Sequence, residues 1–172
     1  AEGVDGFGIN RVARALGIKP PSLYHHFASN EDLRLAVALE GWSRLARDFE
    51  AAAQSEAPTA RTLKKMADAY RGFAKAHPQH YALMSATPLN PEEPAFGAIA
   101  ERLIGILASI FPPLRGPHDE RVHAIRALRA AMHGFVMLEL SGQLTSSPSA
   151  ESSYNWMIDH LAQIAIRSEA NA

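Results

Sequence analysis

The stretch Ile9-Asn-Arg-Val-Ala-Arg-Ala-Leu-Gly-Ile-Lys-Pro-Pro-Ser-Leu-Tyr-His-His-Phe27 gathers side chains that donate hydrogen bonds: Asn10, Arg11, Lys19, Ser22, Tyr24, His25 and His26. It reads as a short helix, a turn centred on Gly17 and a second short helix that begins on Pro20. That is the layout of a helix-turn-helix. A helix held across a tight turn from its neighbour can lie in the major groove of DNA and reach base edges, while donors beside it meet phosphate oxygens.

Other chemistries find less to work with. The chain has eight histidines and no cysteine. His77 and His80 are close in sequence, but Pro78 lies between them at a helix junction and no paired carboxylate joins them, so no metal site is expected. There is no glycine-rich phosphate loop, nucleophile elbow or carboxylate dyad. The expectation is a protein without cofactor that is not an enzyme.

Everything periodic in the chain has a helical period, so the fold class expected is all-α. Ile9, Val12 and Leu16 mark one side of the first short helix, and Leu23 and Phe27 of the second are expected to face the same small core. Ala28-Ser29-Asn30 is a turn, in which Ser29 and Asp32 have the spacing of a capping box and Asn30 is the alternative cap. A long helix is predicted from about Glu31 to Glu56. A second, which Thr59 can cap, runs to about His77 with Leu63, Met66, Tyr70 and Phe73 on one stripe. Pro78 opens a short helix. Thr87 to Pro94 holds too much proline for a helix interior. Further helices are predicted over Ala95 to Phe111, His118 to Gly142 and Ala150 to Ser168.

The chain is 172 residues long, 47% hydrophobic, with a net charge of -1. That composition suits a globular protein with a sizeable core. Arg11, Arg14, Lys19 and Arg34 are offset by Glu2, Asp5, Glu31 and Asp32, so the region around the turn carries no overall basic charge. No apolar run reaches the length of a membrane span, and no signal peptide is visible at the start. With cysteine absent as well, a cytoplasmic location is expected.

Three linked pieces carry a resemblance: Leu16-Gly17-Ile18, then Ser22-Leu23-Tyr24-His25-His26-Phe27, then Asn30-Glu31-Asp32-Leu33. At this spacing they resemble the DNA-binding module of the TetR family of transcriptional regulators. A second resemblance lies in Ala127-Leu-Arg-Ala-Ala-Met-His-Gly-Phe-Val-Met-Leu-Glu139, which looks like the His-Gly-Phe…Leu-Glu helix of one TetR-like C-terminal domain. Two positions depart from the family pattern. Gly8 stands where a Ser or Thr usually starts the helix before the turn, and Asn30 stands where a Lys usually starts the long helix. These departures are expected to weaken capping and phosphate contact respectively. The resemblance implies a helix-turn-helix module over 1–40, its first helix largely missing, continuous with a ligand-binding and dimerisation domain over 41–172.

The resemblance also implies roles. Lys19, Pro20, Ser22 and His25 match positions that point into the groove; Lys19 suits guanine or a phosphate, and Pro20 offers apolar contact, for instance to a thymine methyl. Tyr24 and His26 match positions that contact the DNA backbone, although Tyr24 is also suited to covering the small core. Asn10 and Arg11 can clamp a flanking phosphate, and Asn30 is placed with them. In the body, Met66, Tyr70, Phe73, Tyr81, Met84, Phe96, Met132, Phe135, Met137 and Trp156 supply aromatic and thioether surface. From these Tyr70, Phe73, Tyr81, Met84, Met132 and Met137 are taken as candidate ligand contacts. His133 and Glu139 join them as polar groups in the most apolar helix. His133 suits either a ligand or a neighbouring carbonyl.

The last two long helices would form a homodimer interface, as in the family. Val122, Ile125, Met132 and Val136 on one, with Ile158, Leu161 and Ala165 on the other, offer more apolar surface than one subunit needs, and some of them must face the subunit's own core. A two-fold dimer presents two recognition helices roughly 34 Å apart and requires a palindromic operator. The function expected is a ligand-responsive repressor of double-stranded DNA operators, gated by a small, largely apolar effector. The rivals are an all-α enzyme or carrier that keeps the module as a relic, and a structural dimer without ligand.

Overall fold

Glycine and proline set the local geometry at the start of the chain. Gly17 adopts φ 67°, the left-handed conformation that favours glycine, and closes the first helix while the Ile18 amide donates back to the Ala13 carbonyl at 3.0 Å. Pro20 opens the second helix from the extended backbone of Lys19. The computed structural model describes residues 6–54, 60–90, 92–110 and 118–170, and at 60, 110, 118, 120, 121 and 164–170 it describes the backbone alone. Among these, every regular element is helical: α1 (Ile9–Leu16), α2 (Pro20–Tyr24), α3 (Asn30–Gln54), α4 (Ala60–Ala76), α5 (Pro78–Ala86), α6 (Pro94–Ile110), α7 (His118–Leu140) and α8 (Ala150–Ala170). The all-α expectation holds. No helix among the described residues is long and apolar enough to cross a membrane.

The helix ends agree with the predicted punctuation, with two adjustments. The second helix stops at Tyr24, so His25 and His26 lie in the turn after it rather than inside it. The seventh stops at Leu140, and Gly142, at φ 71°, completes the stop while the Gln143 amide donates to the Leu138 carbonyl. Ser29 and Asp32 form the reciprocal capping box: the Asp32 amide donates to Ser29 Oγ at 3.0 Å and the Ser29 amide to Asp32 Oδ2 at 3.1 Å. The predicted Thr59 cap and the Glu56 and Phe111 boundaries lie outside the described residues.

The small core of the first two helices keeps Ile9 as expected, with Val12, Leu23 and Phe27 half-buried, but it excludes Leu16 and adds Ala13 and Leu33. Ile9, Ala13 and Leu33 are buried, whereas Leu16 is 63% exposed. Ile9 and Ala13 are one turn apart on α1. Leu16 follows on the last turn, beyond what the described helices cover.

The main core packs α3, α4, α5, α7 and α8 around Leu45, Met66, Tyr81, Val136, Tyr154 and Ile158. The α3–α5 crossing depends on Gly41. A Cβ there would collide with Met84 Sδ and come within 2.8 Å of His80 Nε2. The same crossing is tied by His80 Nε2, which donates to the Val37 carbonyl at 2.8 Å. On the other flank Arg71 of α4 grips Glu139 of α7 through two hydrogen bonds of 2.7 Å, and the Tyr154 hydroxyl of α8 donates to the Ala67 carbonyl at 2.7 Å.

Candidate functional site

Two regions of the fold hold groups arranged for recognition. The first is the α1–α2 corner. Lys19, Ser22, Tyr24, His25 and His26 are all exposed, and Pro20 is half-buried. Asn10 and Arg11 are exposed on the first turn of α1. The ordinary reason for a tyrosine to be conspicuous, covering a core, accounts for only part of Tyr24, which is 49% exposed. The corner therefore presents amide, ammonium, hydroxyl and imidazole donors on a short helix and on the turns at either end of it, the mixture that suits base edges and phosphates.

That corner is braced from α3. Asn30 Oδ1 accepts the Ile9 amide at 2.8 Å, supplying the cap that Gly8 has no side chain to give. Arg34 donates through Nε and Nη2 to the Phe7 carbonyl at 3.3 and 3.1 Å. The Asn30 oxygen is thus engaged inside the protein, which leaves its Nδ2 hydrogens as the donors it can offer a phosphate.

The second region is a cavity of about 170 Å³ in the helical body. Its walls are Trp42, Leu45 and Phe49 of α3, Tyr70 of α4, Phe96, Ala100, Leu103, Ile104 and Leu107 of α6, and Ile125, Leu128, Arg129 and Met132 of α7. Behind Tyr70 lies a short polar chain. Its hydroxyl is 2.7 Å from the Tyr81 hydroxyl, which is 2.6 Å from His133 Nδ1. Burial pushes both tyrosine hydroxyls upward, and burial together with the nearby Arg129 cation lowers the His133 imidazole. All three are neutral near pH 7, so the chain passes hydrogen-bond polarity rather than charge from the cavity wall to α7.

The predicted ligand contacts separate on this geometry. Tyr70 and Met132 line the cavity. Tyr81 and His133 stand behind Tyr70. Phe73 packs against His77 and His80 at the α4–α5 junction, and Met84 fills the space against Gly41. Met137 is 42% exposed. Glu139 is held by Arg71 and by Lys75 Nζ at 2.8 Å, which bring its carboxyl down to about 2. Sequence reasoning passed over Trp42, Phe49 and Arg129. For Arg129 the available signal was a cation inside the apolar run of α7, the same signal that singled out His133.

Residues 63–161 match the sequence profile of the tetracyclin repressor-like C-terminal domain, and residues 1–37 match that of bacterial regulatory proteins of the tetR family. The chain belongs to the TetR family. This TetR-family chain is 32% identical over 82% of its length to the uncharacterized HTH-type transcriptional regulator Rv0681 of Mycobacterium tuberculosis, and spans 64% of that protein. It is 27% identical over 80% of its length to the uncharacterized HTH-type transcriptional regulator YobS of Bacillus subtilis, and spans 70% of it. Among solved structures, a protein with unknown function from Rhodococcus sp. RHA1 superposes with a TM-score of 0.69 at 24% identity, over 94% of this chain and 88% of that one. A possible TetR family transcriptional regulator from Streptomyces coelicolor A3(2) gives 0.67 at 16% identity, over 97% and 92%. These two likenesses concern the fold.

Several large apolar side chains near the end of α7 and on α8 stand exposed. Met137, Leu138 and Leu140 at the end of α7 are 42%, 42% and 38% exposed, and Trp156 of α8 is 64% exposed. Of the residues named for an interface, Met132, Val136 and Ile158 are buried in the subunit's own core, Val122, Ile125 and Leu161 are half-buried, and the side chain of Ala165 lies outside the described residues. Helical periodicity marked these faces as apolar. It did not say which of them turned inward.

Proposed function

We propose that the protein is a ligand-responsive transcriptional repressor of the cytoplasm, which binds a palindromic DNA operator as a homodimer. It works as a regulator, not an enzyme. Residues 1–40 form the reading module and 41–172 the effector and dimerisation domain. The observation that carries this reading is the run of α3. One helix of 25 residues, about 37 Å long, braces α1 through Asn30 at its start and forms a cavity wall through Trp42, Leu45 and Phe49.

The mechanism follows from that continuity. In the DNA-bound state the donors of α2 and its flanking turns, Lys19, Ser22 and His25, meet base edges, Pro20 supplies apolar contact, and Tyr24, His26, Asn10, Arg11 and Asn30 meet the backbone. A molecule filling the cavity favours a different placement of α3 against α4, α6 and α7. The shift reaches α1 through Asn30, and the segment before it through Arg34 and Phe7, and moves the two recognition helices of the dimer off the spacing the operator demands. Two sites are thereby coupled through one two-state element. Met137, Leu138, Leu140 and Trp156 supply the dimer face, an apolar patch on the two helices that pair in this family.

Selection of bound fragments from random DNA by the full chain tests the reading. Enrichment of an inverted repeat supports it; recovery of fragments no better bound than bulk DNA at matched salt overturns it.

A further inference from the structure

The cavity is apolar on every wall but one. Its lining includes no acidic side chain and a single cation, Arg129. Other arginines of the body stand opposite carboxylates: Arg71 meets Glu139, Arg102 meets Glu50 and Arg47 meets Glu40. Arg129 has no carboxylate partner among the described residues. Its guanidinium lies 5.1 Å from the centre of the Trp42 ring. It remains exposed while lining the cavity, which puts it at the opening.

Trp42 adds a second, independent sign. The residue is 8% exposed, and its indole Nε1 is buried without a hydrogen-bond partner among the described residues. Buried donors ordinarily find acceptors. An acceptor that comes in under the Arg129 guanidinium reaches the donor-rich end of an otherwise apolar space. A guanidinium presents a planar fork that matches a carboxylate with two hydrogen bonds.

We infer that the effector is a small apolar anion, a carboxylic acid on an aryl or short alkyl body, with its carboxylate held by Arg129 beside the Trp42 indole and its body among Phe49, Leu103 and Leu107. The assignment rests on the ligand-responsive reading above and names the chemistry of that site. The volume of about 170 Å³ limits the enclosed body to about one aryl ring or a short alkyl chain, since a cavity of about 150 Å³ holds benzene.

Calorimetric titration of the full chain with phenylacetate and octanoate, each against its neutral amide, tests the inference. The expected result is at least one carboxylate binding about tenfold or more tighter than its amide. Arg129→Met should reduce that preference to less than about threefold, and Arg129→Lys should keep part of it. Equal binding of acid and amide overturns the assignment, as does an undiminished preference in Arg129→Met or a failure of every probe to bind. Thermal melts of each variant separate a lost contact from a lost fold. Operator affinity is measured with and without the bound acid. Selective binding that leaves operator affinity unchanged supports the anion assignment and overturns the ligand-response reading.

Discussion

Gly8 makes room for Asn30. A Cβ at position 8 would lie 2.9 Å from Asn30 Oδ1, and that oxygen is the atom that accepts the Ile9 amide at 2.8 Å. Each residue, taken alone, departs from the family pattern. Together they make one cap, in which a side chain from α3 does for α1 what the residue before α1 usually does for itself.

This pairing predicts a non-additive pair of substitutions. Asn30→Ala should cost about 1 kcal/mol, the ordinary value of a cap. Gly8→Ser alone should also destabilise, because the new side chain meets Asn30. Combined, the two should recover most of the loss, since the introduced hydroxyl can then cap α1 locally. Urea denaturation of the four proteins measures the coupling, expected at about 0.5 kcal/mol or more. Simple additivity would show that the two positions do not act as a unit.

Lys19→Ala and Tyr24→Ala should weaken binding to a selected operator without altering the thermal melt, since Lys19 is exposed and Tyr24 half so. If Lys19 neutralises a phosphate, Lys19→Ala should also reduce the slope of log affinity against log salt by about 0.9, whereas the loss of the uncharged Tyr24 hydroxyl should leave that slope nearly unchanged. Fluorescence anisotropy across a salt series reads both quantities. Unchanged affinity in both variants would remove α2 from the DNA interface.

Trp156→Glu places a charge among the exposed apolar residues proposed for the dimer face. The residue is 64% exposed and its ring stacks on His160 at 3.9 Å within the same helix, so the subunit fold should survive. The proposed dimer should not. Sedimentation should show a monomer, with operator affinity falling steeply as the two half-sites are no longer held together. A dimer of unchanged stability would place the interface elsewhere.

Glu139 sets an acid limit on stability. Arg71 and Lys75 hold its carboxyl down to about 2, from an ordinary 4.5. A depressed carboxyl contributes stability that is present above pH 4.5 and is lost as pH falls from there toward 2. Its side chain and that of Arg71 are 14% and 13% exposed. The shift corresponds to roughly 3 kcal/mol at neutral pH, a figure that solvent around Lys75 reduces. Glu139→Gln should therefore be less stable than the parent at pH 7, with the difference narrowing below pH 4. A constant difference across that range would assign the loss to packing instead.

The parts legible in the sequence were those written locally. Gly17, Pro20, Pro78, Pro94 and the Ser29–Asp32 box place helix ends because each acts on backbone within a few residues of itself. The cap at Ile9 was not legible, since its two members lie 21 positions apart and each looks like a defect alone. The same limit governs the ligand residues. A stripe such as Met66, Tyr70 and Phe73 says that a face of α4 is covered. Whether it meets a cavity, as Tyr70 does, or the α5 junction, as Phe73 does, depends on helices whose arrangement no stripe encodes. Glu139 looked like a ligand group because it interrupts an apolar run, and its partners Arg71 and Lys75 sit on a different helix.

Gly41 bears on how such proteins can be recombined. The boundary proposed between the reading and sensing parts falls at this glycine, in the middle of α3, where a side chain would strike Met84 and where His80 reaches back to the Val37 carbonyl. No linker separates the two parts. A chimera joined at position 40 would set a foreign α3 start on this body, and every residue facing α5 would have to be matched. A workable exchange carries α5 along with the reading module. Inheritance of new operators by this scaffold is therefore easier through single changes on α2 than through wholesale transplantation.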